Sequence, residues 1–130
     1  MRVDLAEESD LVSVMNVLDG ADLDVSAATV RRALDRSLAL VARSEAGTVL
    51  GTIVCVDREP EVLVEAIAVR PNRRGQGIGM RLIEAAGDRW GPLLARFEPE
   101  LWSFYESLGF VKAPALKLDD GRLAARCQPD

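Results

Sequence analysis

Three arginines and three glycines crowd into residues 70–79, in the order Arg70-Pro71-Asn72-Arg73-Arg74-Gly75-Gln76-Gly77-Ile78-Gly79. An apolar run over residues 63–69 leads in, and an amphipathic run leads out. That pattern predicts a strand, a tight loop and a helix. The backbone N–H groups of such a loop gather in front of a helix N-terminus, where donors lack intrahelical acceptors and the helix dipole is positive. The chemistry this suits is anion binding, above all of phosphate. Alternate glycines let the backbone come close to a ligand. Arg73 and Arg74 concentrate positive charge in a chain whose net charge is −5. Two familiar phosphate loops fit badly. A Walker loop needs Gly-Lys-Ser/Thr, and here Gly79 is followed by Met80-Arg81. A dinucleotide fingerprint needs G-x-G-x-x-G near an early strand, and here the spacing is Gly75-x-Gly77-x-Gly79, far along the chain.

The remaining reactive groups are few. The chain has no histidine, which excludes a Ser-His-Asp or Cys-His device and argues against a zinc centre. Of its two cysteines, Cys55 lies in an apolar run and reads as a reduced core residue, and Cys127 is too far along the chain to suggest a metal pair. Tyr105 is the only tyrosine. Taken alone, it reads as a packed ring with a wet hydroxyl. Glu65 interrupts the apolar run before the loop. A carboxylate there costs free energy unless it has a task or a path to solvent, so it either has a role or faces outward. Glu61, nearer the end of that strand, reads as solvated. Trp102 and Phe104, beside Tyr105, read as core or cleft wall. Asp19, Asp22 and Asp24 either steer a cationic partner or form an ordinary solvated loop.

These groups need a scaffold. A chain of 130 residues with 48% apolar content is expected to form one globular domain over residues 1–130. It can bury ~65% of the surface its unfolded form exposes. It has no apolar run long enough for a membrane span. The start, Met1-Arg2-Val3-Asp4, lacks the apolar stretch of a signal peptide, so the expected location is the cytoplasm. The negative net charge disfavours nucleic acid as a partner.

Hydrophobic spacing and turn residues set the expected element order. Residues 2–6 read as a strand. Glu7-Glu8-Ser9-Asp10 offers helix-start chemistry before a stripe at Leu11, Met15 and Leu18, and Ser26 can cap a second helix over residues 27–36. Strands over residues 38–42, 49–56 and 61–69, joined by turns at 44–47 and 58–60, predict an antiparallel meander. Ile78, Leu82, Ala86 and Trp90 recur at helical spacing until Gly91-Pro92. A strand over residues 93–97 reached through that helix must run parallel to the strand before it. Pro99 opens a helix near residues 100–108, and Gly109 ends it. Two strands over 110–118 and 122–127 close the chain, with a hairpin turn at Asp119-Asp120-Gly121 and a break at Pro114; the last three residues are expected to fray.

This order, together with two separated motifs, resembles the GNAT family of acetyl-CoA-dependent N-acetyltransferases. Arg74-Gly75-Gln76-Gly77-Ile78-Gly79 fits the family's Q/R-x-x-G-x-G/A loop, and Phe104-Tyr105-Glu106-Ser107-Leu108-Gly109-Phe110 fits its helix-to-strand signature, about 30 residues downstream. The resemblance spans nearly the whole chain. It implies an α/β fold with a central mixed, mostly antiparallel sheet, a splayed parallel strand pair and helices on both faces. It also implies a bulge in the strand before the loop. Pantetheine would lie along the backbone of Ile67, Ala68 and Val69. The N–H groups of Arg74, Gly75, Gln76, Gly77, Ile78, Gly79 and Met80 would hold the pyrophosphate. Many family members carry an asparagine seven residues before the tyrosine; here that position is Glu98, which puts the usual side-chain contact in doubt.

The implied activity is transfer of acetyl from acetyl-CoA to a primary amine, small or protein-borne, by direct attack in a ternary complex. Backbone donors on the splayed strand would stabilise the oxyanion, Tyr105 would protonate the leaving thiolate, and Glu65 would act as base, directly or through water. The resemblance requires no metal. Homodimers are frequent in the family, and nothing in the sequence fixes one. The alternative is a non-catalytic acyl-CoA-binding regulatory module, and the two readings part on Tyr105 and a usable base.

Overall fold

Val, Ile and Leu dominate the strands, because branched side chains suit a pleated surface buried on at least one face. The computed structural model describes residues 1–57, 61–113 and 120–127. The expected turn at 58–60, the break at Pro114, the outer part of the strand expected over 110–118, Asp119 of the hairpin turn and residues 128–130 lie outside the described residues. The strands are β1 (Arg2–Leu5), β2 (Ala39–Arg43), β3 (Val49–Val56), β4 (Val62–Val69), β5 (Leu93–Phe97), β6 (Val111–Lys112) and β7 (Leu123–Cys127). The helices are α1 (Leu11–Gly20), α2 (Ala27–Asp35), α3 (Ile78–Trp90) and α4 (Trp102–Ser107). Their order along the chain is the one expected.

The strands form a single seven-stranded sheet in the order β1-β2-β3-β4-β5-β7-β6. Only β4 and β5 run parallel; every other neighbouring pair is antiparallel. The parallel pair is what the α3 crossover demands, since a hairpin cannot join parallel strands. α1 and α2 pack on one face of β2–β4, and α3 packs on the other. The main core lies in these two layers, with Leu18, Leu40, Ile53, Leu82 and Leu93 among its largest fully buried side chains. A small second cluster, Leu63, Leu94, Ala113 and Ala124, stands apart from it.

Two local expectations shift. The buried face of α1 is Val14, Val17 and Leu18, with Leu11 and Met15 only partly buried at its rim. The helix buries the centre of a wider apolar face, so the simple i, i+4, i+7 stripe is turned by part of a residue step. The helix expected near residues 100–108 divides into a 3-10 turn, Pro99–Leu101, and α4. Ser26 does cap α2, accepting the Thr29 N–H at 3.1 Å.

Candidate functional site

The site begins as a defect in the sheet. Along β3 and β4, Val54 pairs with Ala66 and Cys55 with Val64, which leaves Glu65 as the extra residue of a β-bulge. On its other edge, β4 pairs with β5 only at Val62–Leu93, Leu63–Leu94 and Val64–Ala95. From residue 65 to residue 69 that edge of β4 has no strand beside it. The bulge bends β4 where the two parallel strands part, and a fork opens between them. An unpaired edge presents backbone N–H and C=O groups ready to pair with an extended chain that carries amides.

The loop continues this open edge. A 3-10 turn, Pro71–Arg73, follows β4. Its entry is fixed by Arg70, whose N–H donates to Leu50 O at 2.9 Å and whose Nε donates to Val49 O at 2.7 Å. Arg74 Nε donates back to Val69 O at 3.1 Å. Gly75 and Gly77 have φ of +77° and +80°, a region that residues with a Cβ rarely occupy. Among the described residues, the N–H groups of residues 75–77 meet no protein acceptor. Those of Ile78, Gly79 and Met80 are the orphan donors of the first turn of α3, whose first helical bond is from Arg81 N–H to Gly77 O at 3.1 Å. A run of free donors at a helix N-terminus, with arginines beside it, is an anion site. A Cβ on Gly79 would stand 3.2 Å from Leu108 Cδ2, so glycine lets α3 approach the end of α4.

α4 closes the other wall. Its end is fixed by N–H bonds from Gly109 to Glu106 O and from Phe110 to Tyr105 O, both 3.1 Å. The Tyr105 ring stacks on Phe97 with centroids 4.2 Å apart and meets the edges of Phe110 and Phe104 at 5.3 and 5.5 Å. Only 4% of the residue is exposed, and it lines the cleft. Its hydroxyl makes no hydrogen bond among the described residues. Burial pushes its pKa above the ordinary value of 10, with nearby Cys55 and Glu65 adding to the effect. The phenol therefore holds its proton at neutral pH and can present it as a hydrogen-bond donor. Burial also pushes the Cys55 thiol up, in keeping with a reduced core residue.

Edge, loop and tyrosine meet in one cleft of about 520 Å³, a size suited to a substantial organic ligand. Of the residues singled out in the sequence, Ile67, Ala68, Val69, Arg74, Gly75, Gly77, Ile78, Gly79, Met80 and Tyr105 line it; Gln76 and Glu65 do not. Gln76 is exposed. Glu65 is exposed on the bulge, close enough for its charge to bear on both the Tyr105 hydroxyl and the Arg122 guanidinium. Arg73 and Phe104 also line the cleft. Trp102 instead packs against the core, with Lys112 Nζ 5.1 Å from its ring centroid.

Sequence reasoning missed Ala21 and Leu23, which bring the α1–α2 connection into the cleft wall, and Leu101, Ser107 and Leu108. Small and aliphatic residues carry no chemical signal, and only the fold brings them here. Asp19, Asp22 and Asp24 stay exposed around that connection. Glu61 corrects an expectation. It is not simply solvated: Arg126 Nε and Nη2 donate to it at 2.6 and 2.9 Å. The strand register brings β7 beside β5 and so carries Arg126 within reach, which no local pattern announces. Glu98 is exposed and opens the turn before α4. Among the described residues no group of three or more His, Cys, Asp or Glu side chains could hold a metal ion, and no helix is long and apolar enough to cross a membrane.

Comparison with known proteins points the same way. The family model described as acetyltransferase (GNAT) domain matches residues 35–112. That stretch runs from the end of α2 through the fork, the loop and α4 to β6. No curated protein matches the chain by sequence. Among solved structures, a GNAT-family acetyltransferase from Bacillus cereus has a TM-score of 0.81 at 15% identity, covering 99% of this chain and 97% of that one. The PaiA N-acetyltransferase of Thermoplasma acidophilum, in complex with coenzyme A, has a TM-score of 0.78 at 15% identity, covering 98% of both chains. The ribosomal-protein-S18-alanine N-acetyltransferase of Escherichia coli has a TM-score of 0.77 at 20% identity, covering 98% of this chain and 92% of that one. These three share the fold.

Proposed function

This chain belongs to the GNAT family of acetyltransferases, and we propose that it uses the cleft between β4, α3 and α4 to move an acetyl group from acetyl-CoA to a primary amine, with residues 1–130 acting as one domain. Acetyl-CoA supplies an activated thioester. The rest is the work of this chain's groups. The observation that carries the reading is the continuity of unpaired backbone, from the open β4 edge at residues 65–69 into the free donors at residues 75–80. The edge suits an amide-bearing pantetheine arm, and the donors at the helix start suit its pyrophosphate.

Backbone N–H groups on the open edge near Ile67 would face the oxygen that gains charge as the amine adds to the carbonyl. Tyr105, protonated and with a free hydroxyl, would donate its proton to the departing sulfur. Glu65 stands at the fork and would take the proton lost by the amine, directly or through one water. No covalent acyl-enzyme is needed, and the buried, protonated Cys55 is not available for one. The acceptor is an amine on a small molecule or a protein; the relative from Escherichia coli is named for a protein alanine.

The test pairs two measurements. Calorimetry should show coenzyme A binding to the protein. A free-thiol assay across a panel of amines and peptides should show amine-dependent release from acetyl-CoA. Binding with no amine-dependent thiol release from any acceptor would favour a regulatory acyl-CoA-binding module. Absence of binding would remove the reading altogether.

A further inference from the structure

β5 places Arg96 at the mouth of the fork. Val64 and Ala95 form the last rung of the β4–β5 ladder, so Glu65 and Arg96 are the next residues on the two parting strands. Side chains alternate between the faces of a strand. Phe97 points to the face where it stacks on Tyr105. Arg96 therefore points to the opposite face, with its cross-strand partner Ala124 of the small second cluster. With pantetheine on the Tyr105 side, as proposed above, this face would be left for an acceptor amine to approach the thioester.

Among the described residues three arginines belong to that face, and two have anions. Arg126 is held twice by Glu61, and Arg122 Nε donates to Asp120 at 2.7 Å. Arg96 has none. Its Nε is buried with no acceptor, and among the described residues no hydrogen bond or ion pair involves its guanidinium. A buried donor without a partner is unusual enough in a folded protein to call for a reason. Here the group is also permanently charged, and its planar fork matches a carboxylate.

We propose that Arg96 is the acceptor-recognition residue of this acetyltransferase, pairing with a carboxylate that the acceptor carries a few bonds from the amine to be acetylated, so that the acceptors are amino acids. The inference rests on the proposed acetyl transfer and names its substrate class. The spacing is suitable: Glu65 and Arg96 lie one residue beyond the last paired rung, Val64–Ala95, where neighbouring strands are ~4.8 Å apart, so an amine at the fork beside Glu65 and a carboxylate on Arg96 belong to one small molecule. Exposed Glu65 and Glu98 suit the amine end and repel a second anion. Among the described residues of that face, Arg96 is left as the one unpaired cation for the acid end.

Matched acceptors test this: amino acids against their carboxamides, which keep the amine and lose one charge. The carboxamide amine is less basic, so a larger fraction of it is unprotonated at neutral pH, which makes a preference for the free acid hard to obtain by accident. Wild-type kcat/KM should favour the acids by at least ~10-fold, the scale of one charge-assisted contact. Arg96→Gln should lower kcat/KM for the acids by a similar factor while leaving the carboxamides and the KM for acetyl-CoA unchanged. Arg96→Lys should recover part of the preference. A rise in melting temperature on adding coenzyme A checks that each variant folds and binds donor. Equal wild-type rates on acids and carboxamides, or an equal loss of both in Arg96→Gln, overturns the proposal. So does failure of every amino acid, by turnover or by calorimetry, to engage wild-type protein saturated with coenzyme A. If coenzyme A itself does not bind, the underlying functional reading fails as well, and that result is distinguishable from the others.

Discussion

The two halves of the sheet use the same residue types to opposite ends. At the β1–β2 side, Arg43 donates to both oxygens of Asp10 at 2.9 and 2.7 Å and touches Asp4 at 3.3 Å, while Arg2 closes on Asp4 at 2.8 Å. Asp10 also accepts the Glu7 N–H at 2.8 Å. Every strong donor there has an acceptor, and the cluster ties the strand edge to the start of α1. At the fork, Arg96, the backbone donors and the Tyr105 hydroxyl stand without partners among the described residues. Satisfied polar groups hold a fold together, whereas unsatisfied ones held rigidly in place are free to bind and react. Changes at the first region should therefore lower stability and spare binding, and changes at the second should do the reverse.

The largest separation should come from Tyr105→Phe. The ring contacts survive, so the melting temperature should barely move. Loss of a general acid is worth ~10²-fold or more in kcat, and the KM for acetyl-CoA should hold. Steady-state kinetics beside a thermal melt reads both, and unchanged turnover with retained donor binding would remove Tyr105 from the chemistry. Arg43→Ala is the mirror experiment. It leaves Asp10 buried with only the Glu7 N–H, and breaking a buried pair costs about 3 kcal/mol. Denaturant unfolding should show that loss while coenzyme A affinity, measured where the variant is folded, stays near wild type. A smaller effect follows from Gly77→Ala. Nothing lies within 4 Å of a Cβ there, so only the left-handed backbone is strained, by ~1–2 kcal/mol. If the loop relaxes to relieve that strain, its donors move and coenzyme A binds ~5–30-fold more weakly. Unchanged affinity would mean that the 75–77 backbone does not set the anion site.

The sequence shows the first region poorly and the second well, for physical reasons. Loop and helix at the fork are contiguous, so glycine spacing, arginines and the apolar run from residue 63 are visible along the chain. The seven strands, their antiparallel meander and the parallel crossover follow from turn residues and hydrophobic spacing. A bulge in β4 came only through family resemblance, without its place at Glu65, because a bulge is a mismatch between two strands and one strand does not display it. Arg43–Asp10 and Arg126–Glu61 join residues 33 and 65 positions apart. Such pairs depend on which strands become neighbours, and a single sequence does not order strands. The same limit hid Ala21 and Leu23 in the cleft wall and the isolation of Arg96, which is defined by what its neighbours on other strands already hold.

The smallest effect is also the sharpest probe of the satisfied region, because it depends on charge alone. The Arg43 hydrogen bonds hold the Asp10 carboxyl below its ordinary value of 3.8, against the opposing effect of burial. A carboxylate with a depressed folded-state pKa contributes stability that is fully present above its unfolded value and is lost as pH falls through the folded one. Wild-type stability should thus hold down to the ordinary carboxylate range and decline below it. In Arg43→Met the main partner is gone and most of the depression with it, only the Glu7 N–H remaining, so the variant, less stable at neutral pH, should lose less on acidification. The gap between the two proteins should narrow as pH drops below about 3.8. Asp4, whose pKa is also lowered, chiefly by Arg2 and less by Arg43, contributes with the same sign. Arg2 remains in both proteins, so most of the Asp4 contribution cancels in the difference. Urea unfolding of both proteins across the acid range measures that gap. A gap independent of pH would mean that Arg43 stabilises this edge through packing of its stem, and that the contrast between a charge-satisfied edge and a charge-open fork is wrong in its first half.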